Sequence, residues 1–211
     1  MILPDKEFLE TFRKTNGALG VGEAIAIMNL AAMCPEGLWL EMGCFMGKSA
    51  QAAVFGGNCK EFHLVEPEFG KEISVDDFAK NVSEATGKGG KLAFIHGYST
   101  DYLSNSQYTY SYVMVDSGSH QDGLPMQEAK LLEDRIVKGG IIVWHDFDSQ
   151  FKEVREAAEY LVSTGKYEYV DIPWGEINQY VNDNRTEDGN QSWHHNELYC
   201  PNFVGALRRK L

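Results

Sequence analysis

The chain has 211 residues, 43% hydrophobic and 24% charged, a balance that suits one domain with a full-sized core over 1–211. A formal net charge of −12 disfavours a nucleic-acid partner, because polyanions are held by Lys/Arg surfaces that displace counterions. No run of about eighteen apolar residues offers a membrane span, so no membrane partner is expected.

In chain order, residues 1–36 read as N-terminal helices. One covers Asp5–Lys14; a second covers Val21–Met33, with alanines and aliphatics at helical spacing, and stops before Pro35. Short apolar runs then alternate with helical stretches. Strands are expected at Leu38–Gly43, Glu61–Glu66, Leu92–His96, Tyr110–Asp116 and Gly140–His145, and helices at Lys48–Phe55, Val75–Thr86, Leu124–Ile136 and Lys152–Ser163. The pair Gly139-Gly140 is read as closing the helix before it. This alternation of continuous apolar strands with helices implies an α/β fold whose parallel sheet is covered on both faces. Tyr167–Ile172 and Phe203–Arg208 read as two more strands with no clear helix between them, hence an antiparallel hairpin. The polar segment 174–199, rich in Asn, Asp and Glu but carrying Trp174, Trp193 and Tyr199, interrupts that hairpin. A loop of this length is expected to serve as a lid or acceptor-specificity element, or to pack on the partner of a homodimer.

The most informative stretch is Leu38-Trp-Leu-Glu-Met-Gly-Cys-Phe-Met-Gly-Lys-Ser-Ala50, a buried strand turning sharply into a helix. Such a turn makes a nucleotide-sized pocket, with Gly43 free to take unusual backbone angles and Gly47 admitting a ligand close to the main chain. A phosphate loop needs Gly-x-x-x-x-Gly-Lys-Ser/Thr, and Gly43 to Ser49 is one residue short. The dinucleotide fingerprint Gly-x-Gly-x-x-Gly fails at Phe45. What remains, an acid followed by Gly-x-x-x-Gly, resembles motif I of class I S-adenosylmethionine-dependent methyltransferases.

Open α/β sheets bind ligands at the carboxyl ends of their strands. The second strand ends at Glu66, about twenty residues past the glycine turn, where a ribose-binding carboxylate belongs. The third ends in His96-Gly-Tyr-Ser99, a turn placed to approach an adenine through Ser99. The fourth ends in Asp116-Ser-Gly-Ser-His120, and the fifth in His145-Asp146-Phe-Asp148. If these strands are neighbours, about 4.8 Å apart, Asp116 and Asp146 are able to grip one divalent cation, magnesium, or manganese if His145 joins. Taken singly, either acid reads more simply as a helix cap or a solvated side chain. His63, inside an apolar strand, and His194-His195, in a polar loop, are read as structural.

The pairing of Val-Asp116-Ser-Gly-Ser-His120 with Gly-Gly-Ile-Ile-Val-Trp-His145-Asp146-Phe is similar to the macrocin-type O-methyltransferases, which methylate sugar hydroxyls of antibiotics, several with magnesium. The likeness covers roughly 38–148. It departs from that family in a fourth-strand turn longer by one residue and in Phe147 for the usual Tyr. The resemblance implies a Rossmann-like methyltransferase fold with a mostly parallel seven-stranded sheet and a C-terminal antiparallel hairpin. It implies S-adenosylmethionine as cofactor, held by Glu41, Gly43, Cys44, Gly47, Ser49, Glu66, Ser99 and Asp116. It implies catalysis by Asp116, His120 and His145, a metal (Mg2+ or Mn2+) on Asp116, His145 and Asp146, and a small-molecule hydroxyl acceptor.

Three alternatives stay open: a metal-independent methyltransferase with a His/Asp base, a non-catalytic S-adenosylmethionine-binding module, and a metal-dependent hydrolase, for which the glycine turn would have no ligand. A cytoplasmic location is expected. Cys34, Cys44, Cys59 and Cys200 lack paired spacing, no secretory signal is evident, and the sequons at Asn81, Asn184 and Asn190 then read as chance.

Overall fold

The first strand, β1 (Leu38–Met42), is buried over most of its length and lies near the middle of a single seven-stranded sheet. The computed structural model describes residues 1–86, 91–118, 120–147, 151–184 and 204–211. Around β1 stand β2 (Glu61–Glu66), β3 (Lys91–His96), β4 (Tyr110–Val115), β5 (Ile136–Trp144), β6 (Tyr167–Tyr169) and β7 (Gly205–Arg209). The order is β3-β2-β1-β4-β5-β7-β6; the first five strands run parallel, and β7 is antiparallel to both β5 and β6. The mostly parallel sheet with an antiparallel C-terminal pair is therefore as expected, and β4 and β5 are neighbours, with Val115 opposite Trp144.

The period-two alternation of strand side chains sends them to two covered faces. Trp39, Tyr112, Met114, Ile141 and Val143 pack with α1 (Lys6–Lys14), α2 (Val21–Ala32), α3 (Lys48–Gly56), α4 (Val75–Thr86) and α8 (Trp174–Asp183). Leu40, Met42, Val113, Val115, Ile142 and Trp144 pack with α5 (Ser99–Asn105), α6 (Leu124–Leu132) and α7 (Lys152–Ser163). Helix α2 is apolar on nearly every side and buried accordingly, as a helix inside a layer must be. No described helix is long and apolar enough to cross a membrane.

Several expectations need correction. Residues 174–183 form a helix, not a loop: Trp174, Ile177, Tyr180 and Val181 fall at helical spacing and pack on the core, although polar residues dominate the composition. The remainder of the expected lid, 185–199, with Trp193, His194, His195 and Tyr199, lies outside the described residues. Ser99 opens a seven-residue helix, α5, and does not sit in an open turn. Gly139-Gly140 lies inside β5, where the pairing jumps from Tyr110–Ile136 to Tyr112–Ile141; the glycines make a bulge, not a helix cap. His63 is structural, bonded to the Tyr102 hydroxyl and 3.2 Å from Glu61.

Candidate active site

Backbone geometry builds the first half of the site. Gly43 follows β1 with φ +82°, and its N–H donates to Val65 O at 3.0 Å. A Cβ there would stand 2.1 Å from the Asp116 carbonyl oxygen, so β1 and β4 approach as closely as they do only because position 43 has no side chain. Gly47, at φ +86°, is the N-cap of α3, and a Cβ on it would meet the Phe78 ring at 2.8 Å. Glu66 belts the turn from outside: Oε2 accepts from the N–H groups of Cys44 (3.0 Å) and Phe45 (3.1 Å), and Oε1 from that of Glu68 (3.2 Å). An ionised carboxylate has about four acceptor positions, so Glu66 keeps capacity for one more donor.

A cavity of about 280 Å³ opens above this turn. Gly43, Cys44, Ser49 and Asp116 line it, together with Phe45, Lys48, His145 and Asp146; Glu41, Gly47, Glu66 and Ser99 are not in its wall. The far wall is residues 16–19, between the two N-terminal helices, to which the sequence reading gave no role. Lys48, so tempting as a phosphate ligand, holds that segment: Nζ donates to the carbonyls of Gly17 and Leu19, both at 3.3 Å, and sits 4.6 Å from the Phe12 ring centre. Gln51 adds a bond to the Thr15 hydroxyl at 2.8 Å.

Strand tips bring the second half together. His120 Nε2 stands 3.4 Å from Asp116 Oδ1 and 3.0 Å from Asp146 Oδ2, while His145 Nδ1 stands 3.3 and 3.1 Å from the same two oxygens. The longer turn after β4 thus delivers His120 to the acids, with φ +54° at His120 itself. Phe45 (φ +41°) and Asp146 (φ +55°) are also left-handed, so three of the four non-glycine residues with positive φ among the described residues surround this site. Strain of that kind persists where the surrounding structure over-determines it, commonly at functional sites.

One ligand atom from each of Asp116, His120 and Asp146 lies within 4.8 Å of the others. His120 thus takes the third donor position assigned from sequence to His145, whose ring is buried behind the acids with Nε2 3.3 Å from Glu23 Oε1. Two carboxylates and an imidazole suit a divalent cation, manganese better than magnesium. The orphaned state of buried His145 Nδ1, close to both acids but aligned with neither, adds to that fit.

Electrostatics follow from the same contacts. Burial pushes the Asp116 and Asp146 carboxyls up, but the two histidines outweigh it and hold both below the ordinary range. Burial lowers His120, yet its bonds to Asp116 and Asp146 carry it to about 9; His145 is driven well above its usual value by the same acids and Glu23. Both histidines therefore hold protons near neutrality.

Two buried acids behave differently. Glu41, read as a cofactor ligand, is fully buried beneath the cavity and accepts from the Ser49 hydroxyl. Burial pushes it up to about 8 against the bond from Ser49, with Asp116 and Glu66 adding to the rise. Glu128 on α6, missed from sequence, accepts from the Ser117 hydroxyl; burial raises it to about 7 against the bonds from Ser117 and Ser99. Its signal was an acid four residues from both Leu124 and Leu132, hence on the apolar stripe of the helix.

A raised carboxyl binds its proton more tightly folded than unfolded, so its contribution to stability is complete below the unfolded pKa of roughly 4.5 and is lost as pH rises through about 8. Glu41→Gln keeps an acceptor for Ser49 and does not titrate. Between about pH 5 and pH 9 the wild-type protein should lose up to a few kcal/mol relative to this variant in urea unfolding. Parallel stability profiles would show that Glu41 is ionised in the folded protein.

A family model described as a methyltransferase domain matches residues 40–147, from β1 to just past β5. No curated protein matches the chain in sequence. Among solved structures the chain is similar to an O-methyltransferase from Bacillus cereus in complex with SAH, at TM-score 0.56 and 12% identity, covering 81% of this chain and 84% of that one. It is similar to the O-methyltransferase TomG from Streptomyces achromogenes, involved in tomaymycin synthesis and in complex with SAM, at TM-score 0.55 and 16% identity, covering 81% and 83%. It is similar also to a precorrin 8w decarboxylase from Methanobacterium thermoautotrophicum, at TM-score 0.56 and 18% identity, covering 81% and 87%. At these identities the likeness is one of fold.

Proposed function

The chain belongs to the methyltransferase-domain family, and from that premise we propose that it moves the methyl group of S-adenosylmethionine to a hydroxyl oxygen of a small molecule, a sugar or similar. The observation that carries the reading is that one cavity is lined both by the glycine turn and by Asp116, His145 and Asp146. The turn has room for the methionine part of a nucleoside cofactor that carries no phosphate. On this reading the acceptor oxygen meets the methyl group beside these acids.

The step is an in-line displacement: the acceptor oxygen forms a bond to the methyl carbon, the carbon–sulfur bond breaks, and S-adenosylhomocysteine leaves with the electron pair. The cofactor supplies the leaving group, so the protein's part is alignment and removal of the hydroxyl proton. Asp116 and Asp146 accept that proton or orient the hydroxyl. His120 and His145, protonated near neutrality, offset the charge that two adjacent carboxylates would otherwise build up. A divalent cation, when bound, would be held by Asp116, Asp146 and His120 in place of the His120 proton, and would lower the hydroxyl's pKa.

The hydroxyl preference rests on this acid cluster and on the macrocin-type pattern, since the shared fold also hosts a protein named as a decarboxylase. A second cavity of about 260 Å³ begins one residue beyond Asp146, walled by Phe147, Tyr169 and Trp174 with Arg155 at its side. Aromatic walls with a few polar groups suit a small organic acceptor, which supports a role for α8 in choosing it. A screen of sugar and phenol hydroxyls with methyl-labelled cofactor tests the assignment. Label should pass to an oxygen and give an ether; transfer only to nitrogen or carbon acceptors would overturn the hydroxyl assignment.

A further inference from the structure

Glu23 lies on α2, outside the residues matched by the family model, yet its carboxylate closes the inner end of the acid–histidine cluster. The residue is 3% exposed. One of its oxygens is committed: Oε2 accepts the Gly20 N–H at 2.8 Å and so caps α2. That bond fixes the plane of the carboxylate and leaves Oε1, which has no aligned hydrogen-bond partner, 3.3 Å from His145 Nε2. Across the same ring, Nδ1 faces Asp116 Oδ1 and Asp146 Oδ2. His145 is therefore flanked by an acid from α2 on one side and by the acids of the β4 and β5 tips on the other.

A buried carboxylate oxygen left without a donor is costly, and among the described residues the basic group paired with Glu23 Oε1 is the His145 imidazole. The two nitrogens of a histidine are not independent: whichever group takes the hydrogen on one decides what the other presents. We infer that Glu23 is a positioning residue that takes the hydrogen on His145 Nε2 and thereby holds Nδ1 towards Asp116 and Asp146. The N-terminal helices are then part of the reaction centre. The bonds from Lys48 and Gln51 to residues 15–19 keep the start of α2 in register with it. The inference takes its functional meaning from the methyltransferase reading; its geometry does not depend on it.

Glu23→Gln provides a sharp test. The amide oxygen is the only atom of that side chain able to accept from Gly20 N–H, so the amide nitrogen must face His145 Nε2. A donor facing Nε2 requires Nε2 to accept, so the ring gives up the Nε2 hydrogen and keeps only the one on Nδ1. Two-bond proton–nitrogen spectra of the full-length protein labelled at histidine nitrogens read this directly, with His145→Asn used to assign the His145 signals. Nε2 should carry a hydrogen in the wild-type protein and lose it in Glu23→Gln, while circular dichroism and S-adenosylmethionine affinity stay unchanged. A bare Nε2 in the wild-type protein, or the same pattern in both proteins, overturns the assignment. The spectra report on the ring whether or not the cofactor binds, so an inert wild-type protein would count against the methyltransferase reading and not against this one.

Discussion

Gly43→Ala should abolish S-adenosylmethionine binding and destabilise the fold by more than about 3 kcal/mol. Two costs combine. The residue sits at φ +82°, where an L side chain is strained by about 1–2 kcal/mol. The added Cβ would also stand 2.1 Å from the Asp116 carbonyl oxygen, which is backbone and has no rotamer to change. Relief requires β1 and β4 to separate, breaking the bond from Asp116 N–H to Met42 O. Gly70→Ala isolates the first cost, because Gly70 has nearly the same φ, +77°, with nothing within 4 Å of its Cβ position. In urea unfolding Gly70→Ala should lose only the conformational part. Equal losses in the two variants would mean that the close approach at Gly43 contributes nothing.

Asp116→Asn should reduce methyl transfer by on the order of 10²–10³-fold while leaving cofactor affinity nearly intact. The amide has the shape of the carboxylate, so the cavity wall is preserved. What disappears is the negative charge that Asp116 Oδ1 presents to His145 Nδ1 at 3.3 Å and His120 Nε2 at 3.4 Å. Without it the cluster has one carboxylate fewer to hold the histidine protons, and the acceptor hydroxyl loses its partner. Turnover measured beside calorimetric cofactor affinity separates the two roles assigned to this residue. Loss of affinity in step with turnover would make Asp116 chiefly a cofactor ligand, and unchanged turnover would remove it from the chemistry.

The parallel sheet was legible because its strands are buried on both faces, and continuous apolar runs such as Tyr110 to Val115 have few other readings. The edges of β2, α4 and α7 were legible for a related reason: composition changes sharply there. Helices α5 and α8 escaped notice because each is short and polar, and only Ser99 and Leu103 in α5 and Ile177 in α8 are buried. Glycine pairs commonly end helices, which misled the reading of Gly139-Gly140 at the β5 bulge.

The candidate site divides the same way. The glycine turn and the acids at the strand tips follow from local pattern, and the structure brings them to one cavity. Which side chain faces which does not. Glu41 turns inward to Ser49 in the following helix, Glu128 reaches back to Ser117 at the tip of the preceding strand, and His145 turns to Glu23, far away in the chain. The partner that a buried polar side chain finds leaves no periodic trace in sequence, so these pairings could be placed only in three dimensions, although the burial of Glu128 was marked by its place on the apolar stripe of α6.

Calorimetric titration of the intact protein with S-adenosylmethionine tests the central claim most directly, that the Gly43–Gly47 turn is a cofactor pocket opening onto the Asp116–Asp146 cluster. Saturable binding at one site with micromolar affinity, lost in Gly43→Ala and kept in Asp116→Asn, is the predicted result. Absence of binding by the wild-type protein, with or without magnesium or manganese, would contradict it.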